Sequence, residues 1–186
     1  MAGFCRYAHS AGVTAPGYNR IAGASAVGYN DACIKHLRRL ERVWVDAPLY
    51  FLTTCTHLRK PILTSEPVAR ILVKEWRDAR ARHGWVIGRY VGMLDHVHFF
   101  CAPEPEAKLL SAFVGSWKEW TSKAMKRSLI SLTESVWQEE FFDHILRSGE
   151  SYAQKWNYVR ENLIRAGLVE KADDWPWQGE IDELQL

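Results

Sequence analysis

The chain has 186 residues, 47% of them apolar and 25% charged, a composition that buries a single-domain core and excludes disordered, collagen-like and coiled-coil classes. Its greasiest stretch, Trp85 to Pro103, carries Arg89, Asp95, His96 and His98, so it lacks the run of about eighteen apolar residues that a membrane helix needs. The net charge of +2 hides a split: residues 170–186 hold six acids against Lys171 alone, leaving 23 basic and 16 acidic residues, a surplus of seven, in residues 1–169. A basic body suits a polyanion such as nucleic acid, and the acidic end reads as a solubilising tail or as an occupant of the same groove when the polyanion is absent.

Residues 1–34 are rich in Gly, Ala and Ser, show no apolar period and read as a loose leader. They lack the basic patch and apolar run of a secretory signal, and Cys5, Cys33, Cys55 and Cys101 form no CxxC pair, so the chain is expected to be cytoplasmic with free thiols. An ordered body is expected over 35–177, opening on a basic cluster (Lys35, Arg38, Arg39, Arg42), with 178–186 as the acidic tail.

The β-branched and aromatic run Pro48 to Thr56 predicts a buried strand. Pro67 opens a helix whose apolar stripe is Val68, Ile71, Leu72, Trp76 and Ala79, and His83-Gly84 ends it. Trp85 to Val91 and Asp95 to Cys101 predict two strands joined by the short Gly92-Met93-Leu94 link of a hairpin. A second helix is predicted from Pro105 to Lys126, a fourth strand from Trp137 to Leu146, and a third helix from Ser151 to Ala166 with Gly167 just past its end. The order β-α-β-β-α-β plus one helix is that of an α+β, ferredoxin-like split βαβ fold. It implies a four-stranded antiparallel sheet with the first and third strands central and the first two helices on one face.

His96 and His98 lie two apart on the third strand, so both imidazoles point the same way and Val97 points into the opposite layer. Their Cα atoms should be ~6.6 Å apart, a span over which two rings can converge on one ion. HxH alone is a weak signal that needs a third ligand and a reacting group. The last helix offers both. Its apolar stripe is Tyr152, Trp156, Val159, Leu163 and Ala166, whereas Tyr158, Asn162 and Arg165 fall on a neighbouring stripe. Tyr158 is therefore not needed for packing, and it shares a face with Asn162; Tyr152 is the competing hydroxyl, but it sits on the core line.

MLDHVHFFCAP (Met93 to Pro103) and VWQEEFFDHILRSGESYAQKWNYVRENLIRAGLV (Val136 to Val169), with WVDAPLYFLTTCTHLRKPIL (Trp44 to Leu63), resemble the single-tyrosine HUH transposases, most closely the REP-associated tyrosine transposases of bacteria. The resemblance spans Leu37 to Trp177 and implies the same ferredoxin-like fold. It implies that His96 and His98 bind a divalent ion, Mg²⁺ or Mn²⁺, with Asn162 as third ligand, and that Tyr158 is the nucleophile of a Tyr-x-x-x-Asn motif. Two departures are Leu94, where the family often has proline before Asp-His, and Leu163, where it often has proline after the asparagine. Both change backbone stiffness and not a reacting group.

The implied activity is metal-dependent nicking and strand transfer of single-stranded DNA at a hairpin palindrome of the REP type, through a 5′-phosphotyrosine, by a monomer or homodimer at the nucleoid. Phosphate and base contacts are expected from Arg38, Arg39 and Arg42 and from Lys118, Lys123, Lys126 and Arg127, interleaved with Trp117 and Trp120. Lys155 and Arg165 on the last helix join them, and deprotonation of the phenol, whose unperturbed pKa is about 10, calls for metal proximity or a basic neighbour such as Lys155. One rival is a domesticated hairpin-binding protein without cleavage. Another is a zinc protein using Cys55, His57, Cys101 and the HxH pair, although on a regular strand Cys101 faces away from both rings. The two-histidine phosphoesterase class wants paired HxT or HxS motifs, which this chain lacks.

Overall fold

A continuous apolar run after Pro48 gives β1 (Leu49–Cys55), the strand on which the sheet is built, with Leu49 to Leu52 all buried. The computed structural model describes residues 48–129, 134–146 and 152–184; the leader and Arg38, Arg39 and Arg42 lie outside them. The further elements are α1 (Glu66–His83), β2 (Trp85–Gly92), β3 (His96–Pro103), α2 (Leu110–Ser128), β4 (Phe142–Leu146), α3 (Tyr152–Arg165) and β5 (Gln178–Glu180). The sheet order is β4-β1-β3-β2-β5, and every neighbouring pair is antiparallel. The central position of β1 and β3 agrees with the split βαβ expectation.

Alternation along the strands divides two cores. Tyr50, Leu52, Val97, Phe99 and Cys101 face α1 and α2, where Trp76 and Trp117 stack 5.7 Å apart. Leu49, Phe51, Val91 and Phe100 face the other way, against Val159 and Leu163 of α3 and against Trp175 and Leu184. The expected pair of helices thus shares one face, and the last helix covers the opposite one.

Three boundaries differ from the sequence expectation, each for a local reason. Helix α2 starts at Leu110 and not at Pro105, because residues 104–108 bond back to the end of α1: Glu104 N–H donates to Gly84 O and Lys108 N–H to His83 O. Gly84 makes that junction possible, with φ of 73° and a Cβ position only 2.8 Å from Ala107 Cα. Strand β4 starts at Phe142 and not at Trp137, since Trp137 makes only an isolated bridge to Thr56 and the carbonyls of residues 138–140 turn onto Lys118.

The third difference is β5. The expected acidic tail from residue 178 pairs with β2 instead, and Leu184 is buried over Gly88, where an added Cβ would lie 2.5 Å from Leu184 Cδ1. The body therefore extends beyond Trp177 and the sheet has five strands. The register of β2 against β3 slips between Ile87 and Tyr90, a bulge that leaves the Arg89 N–H to donate to the Tyr152 hydroxyl at 3.1 Å. Among the described residues no helix is long and apolar enough to cross a membrane.

Candidate metal and nucleophile site

β1 and β3 pair Thr53 with His98 and Cys55 with His96, so these four side chains share the sheet face that α3 covers. The two imidazoles lie side by side, ring centroids 4.8 Å apart and nearly perpendicular. Thr53 Oγ1 is 2.8 Å from His98 Nδ1, and Asp95 Oδ1 is 2.6 Å from His96 Nδ1.

These contacts decide which nitrogens can bind an ion. Burial works to raise the Asp95 carboxyl, but the His96 hydrogen bond and charge and the Arg59 guanidinium outweigh it and hold it below the usual carboxylate range. An ionised carboxylate only accepts, so His96 donates to Asp95 from Nδ1 and its Nε2 is the nitrogen outside that contact. Thr53 can accept the Nδ1–H of His98 in the same manner. Burial, reinforced by His96, Arg59 and Lys155, pushes His98 down to about 3, which keeps that ring neutral at ordinary pH. With Nδ1 of both rings occupied, Nε2 is the nitrogen through which each ring could meet a divalent ion.

Among the described residues no set of three His, Cys, Asp or Glu side chains is placed to hold a metal. Asn162 fits by chemistry, being a half-buried amide on α3. Cys101 is buried on the α1/α2 side of the sheet, across from both rings, and cannot join Cys55 and the histidines as the zinc alternative requires.

Helix α3 gives its two tyrosines different fates. Tyr152 packs edge-on against Phe100, 4.6 Å between centroids, and its hydroxyl is used by the β2 bulge; burial raises its pKa. Tyr158 is 51% exposed. A chain of contacts links it to the histidines: Phe51 stacks on His98 at 5.3 Å, the Lys155 ammonium lies 5.0 Å from the Phe51 ring, and the same ammonium lies 5.6 Å from the Tyr158 ring. Arg165 covers Tyr158 at 5.0 Å. The phenol therefore sits on the site's side of α3, between two cations and outside the hydrophobic packing.

The residues expected to bind DNA divide. Lys118 is withdrawn from any surface role: it is buried, and its ammonium donates to the carbonyls of Gln138, Glu139 and Glu140 at 2.9, 3.1 and 2.9 Å. An ammonium has three N–H groups and all three are used. Trp117 is a core residue, whereas Trp120 is exposed with Arg82 and Lys123 against its ring at 5.4 and 5.6 Å. Lys123, Lys126 and Arg127 are exposed on the C-terminal half of α2. That half adjoins the histidine end of the sheet, because Thr121 accepts from the Trp137 indole and Trp137 bridges Thr56, next to the Cys55–His96 pair.

Thr53, Arg59 and the Asp95 contact were not part of the expected site. Asp95 was legible as the neighbour of His96; Thr53 becomes visible only through strand register, and Arg59 only through the turn that returns it to Asp95.

Comparison with known proteins agrees with the expected resemblance. The family described as "Transposase IS200 like" matches residues 20–162. The REP-associated tyrosine transposase of Escherichia coli (strain K12) is 22% identical over 131 residues, 69% of this chain and 73% of that protein. A REP-associated tyrosine transposase bound to a REP hairpin superposes with a TM-score of 0.59 at 18% identity, over 80% of this chain and 95% of the other. A transposase candidate of Deinococcus radiodurans R1 gives 0.50 at 22% identity, over 66% and 96%.

Proposed function

The chain belongs to the IS200-like transposase family, and on that premise we propose that it nicks and rejoins single-stranded DNA at a REP-type hairpin, with Tyr158 as nucleophile. The observation that supports this reading is the path of contacts from the exposed Tyr158 ring through Lys155 and Phe51 to His98, beside which His96 lies on the same face of the sheet. Hairpin DNA is the ligand of a structural relative and supplies the substrate class.

His96 and His98, with Asn162, would hold a divalent ion such as Mg²⁺ or Mn²⁺. Bound there, such an ion polarises a phosphodiester and neutralises charge building on its non-bridging oxygens. The chain's own residues do the rest. Tyr158 loses its phenolic proton and its oxygen bonds to phosphorus; the bond to the 3′ oxygen breaks and that oxygen takes up a proton, leaving a 5′-phosphotyrosine and a free 3′-hydroxyl. Lys155 and Arg165 stand against the same ring. The covalent link retains the energy of the broken bond, so the reverse attack by a 3′-hydroxyl rejoins strands without a nucleotide cofactor.

The test is incubation with a single-stranded hairpin and Mn²⁺ followed by a denaturing gel. A covalent adduct is expected, absent in Tyr158→Phe while hairpin binding persists. Binding without any adduct from the wild-type chain would leave the non-cleaving reading, and an adduct from Tyr158→Phe would place the nucleophile elsewhere.

A further inference from the structure

Between β1 and α1 the backbone takes an unfavourable course. Leu58 and Arg59 both have φ of 54°, two consecutive non-glycine residues in the left-handed region, each costing roughly 1–2 kcal/mol. Burial does not offset that cost, since Leu58 is 69% exposed. What the turn delivers is the Arg59 guanidinium, with Nε 2.9 Å from Asp95 Oδ2 and another nitrogen on Cys55 Sγ. The other Asp95 oxygen contacts His96 Nδ1. Turn and aspartate also share one backbone clamp, because the Thr56 N–H donates to Asp95 O at 2.8 Å and the Thr56 hydroxyl lies within reach of both Lys60 O at 2.8 Å and Asp95 O at 3.0 Å.

We propose that Arg59 is a positioning residue: from this strained turn it locks the Asp95 carboxylate in the rotation that holds the His96 ring with Nε2 toward the ion site. The inference rests on reading His96 and His98 as ligands to a divalent ion and adds a group that acts through another side chain, Asp95. As a surface ion pair the Arg59–Asp95 contact adds little stability. Its value is orientation, because with one carboxylate oxygen given to Arg59 and the other to His96 neither side chain is free to turn.

The sign of one measurement separates positioning from simple charge. A cation beside a cation site repels, so removing Arg59 for charge alone would tighten metal binding. Removing it as an orienting group weakens binding. The full-length chain is titrated with Mn²⁺ alone, free ion being followed by its electron paramagnetic resonance signal. Arg59→Gln is expected to weaken binding about tenfold, the low end of the cost of an outer-shell partner. The double variant with Asp95→Asn is expected to bind no more weakly than Asp95→Asn itself, since both act through one contact. Nitrogen-15 spectra of the metal-free chain are expected to report a single Nδ1–H tautomer for His96, becoming a mixture in Arg59→Gln. Unchanged or tighter Mn²⁺ binding by Arg59→Gln, or an unchanged tautomer, overturns the proposal. Wild-type Mn²⁺ affinity in a His96→Ala/His98→Ala variant defeats the ion-site reading instead, and the metal-free spectra still judge Arg59.

Discussion

Thr53 and His98 face each other across the two central strands, the threonine Oγ1 2.8 Å from the imidazole Nδ1. Forty-five residues separate them in sequence, and the contact occupies Nδ1 and leaves Nε2 outside it. Thr53→Val keeps the branched shape and removes the hydroxyl. The fold should lose no more than about 1.5 kcal/mol, while Mn²⁺ affinity falls roughly tenfold. Calorimetric titration checks it, and wild-type affinity in the variant would show that the hydroxyl does not orient the ring.

Tyr152 and Tyr158 should respond in opposite ways to loss of the hydroxyl. Tyr152→Phe leaves the Arg89 N–H of the bulge without its acceptor, so thermal unfolding should register a loss of about 1–3 kcal/mol with adduct formation retained. Tyr158→Phe, at an exposed position, should melt as the wild type does.

Lys118 is a structural cation. Lys118→Met fills a similar volume but strands three carbonyls, and stability should fall by at least about 1–3 kcal/mol in denaturant titrations. The salt dependence of hairpin binding should not change. Lys126→Ala, on the exposed surface of α2, should instead leave stability alone and reduce the salt slope by about one.

Acid should destabilise the metal-free chain before its carboxylates titrate. His98 is held neutral down to about 3 in the folded state, whereas the unfolded ring protonates below about 6.5, so the unfolded state binds more protons between these values. Stability is then complete above about 6.5 and is lost as pH falls, by up to about 1.4 kcal/mol per pH unit from this group. Burial depresses His83 too and adds a loss of the same sign. His98→Asn should flatten the decline in chemical denaturation followed from pH 7 to 4; an unchanged decline would remove His98 as its source.

Leu184 closes the core under α3 although it lies in the acidic end. Leu184→Ala should cost about 2–3 kcal/mol, and deletion of residues 178–186 should cost more, since β5 is lost with it. A wild-type melting curve for the deletion would show that this end is dispensable.

Local chemistry was enough to read much of this protein. Alternation at 96–98, the Tyr158–Asn162 stripe beside a Val159–Leu163 core line, and Pro67 and Gly84 bounding α1 are short-range patterns, and the structure keeps them because each follows from backbone geometry within one or two turns. Lys118 and Leu184 went the other way. A lysine beside Trp117 has the same sequence signature whether it meets phosphate or three carbonyls twenty residues on, and an acidic segment looks like a solvated tail until β2 is found to present it an open edge. Thr53, Asp95 and Arg59 are joined to the histidines by strand register and by a left-handed turn. Those are properties of paired and folded backbone, and only tertiary structure could decide them, because the partners acquire their meaning when distant segments meet.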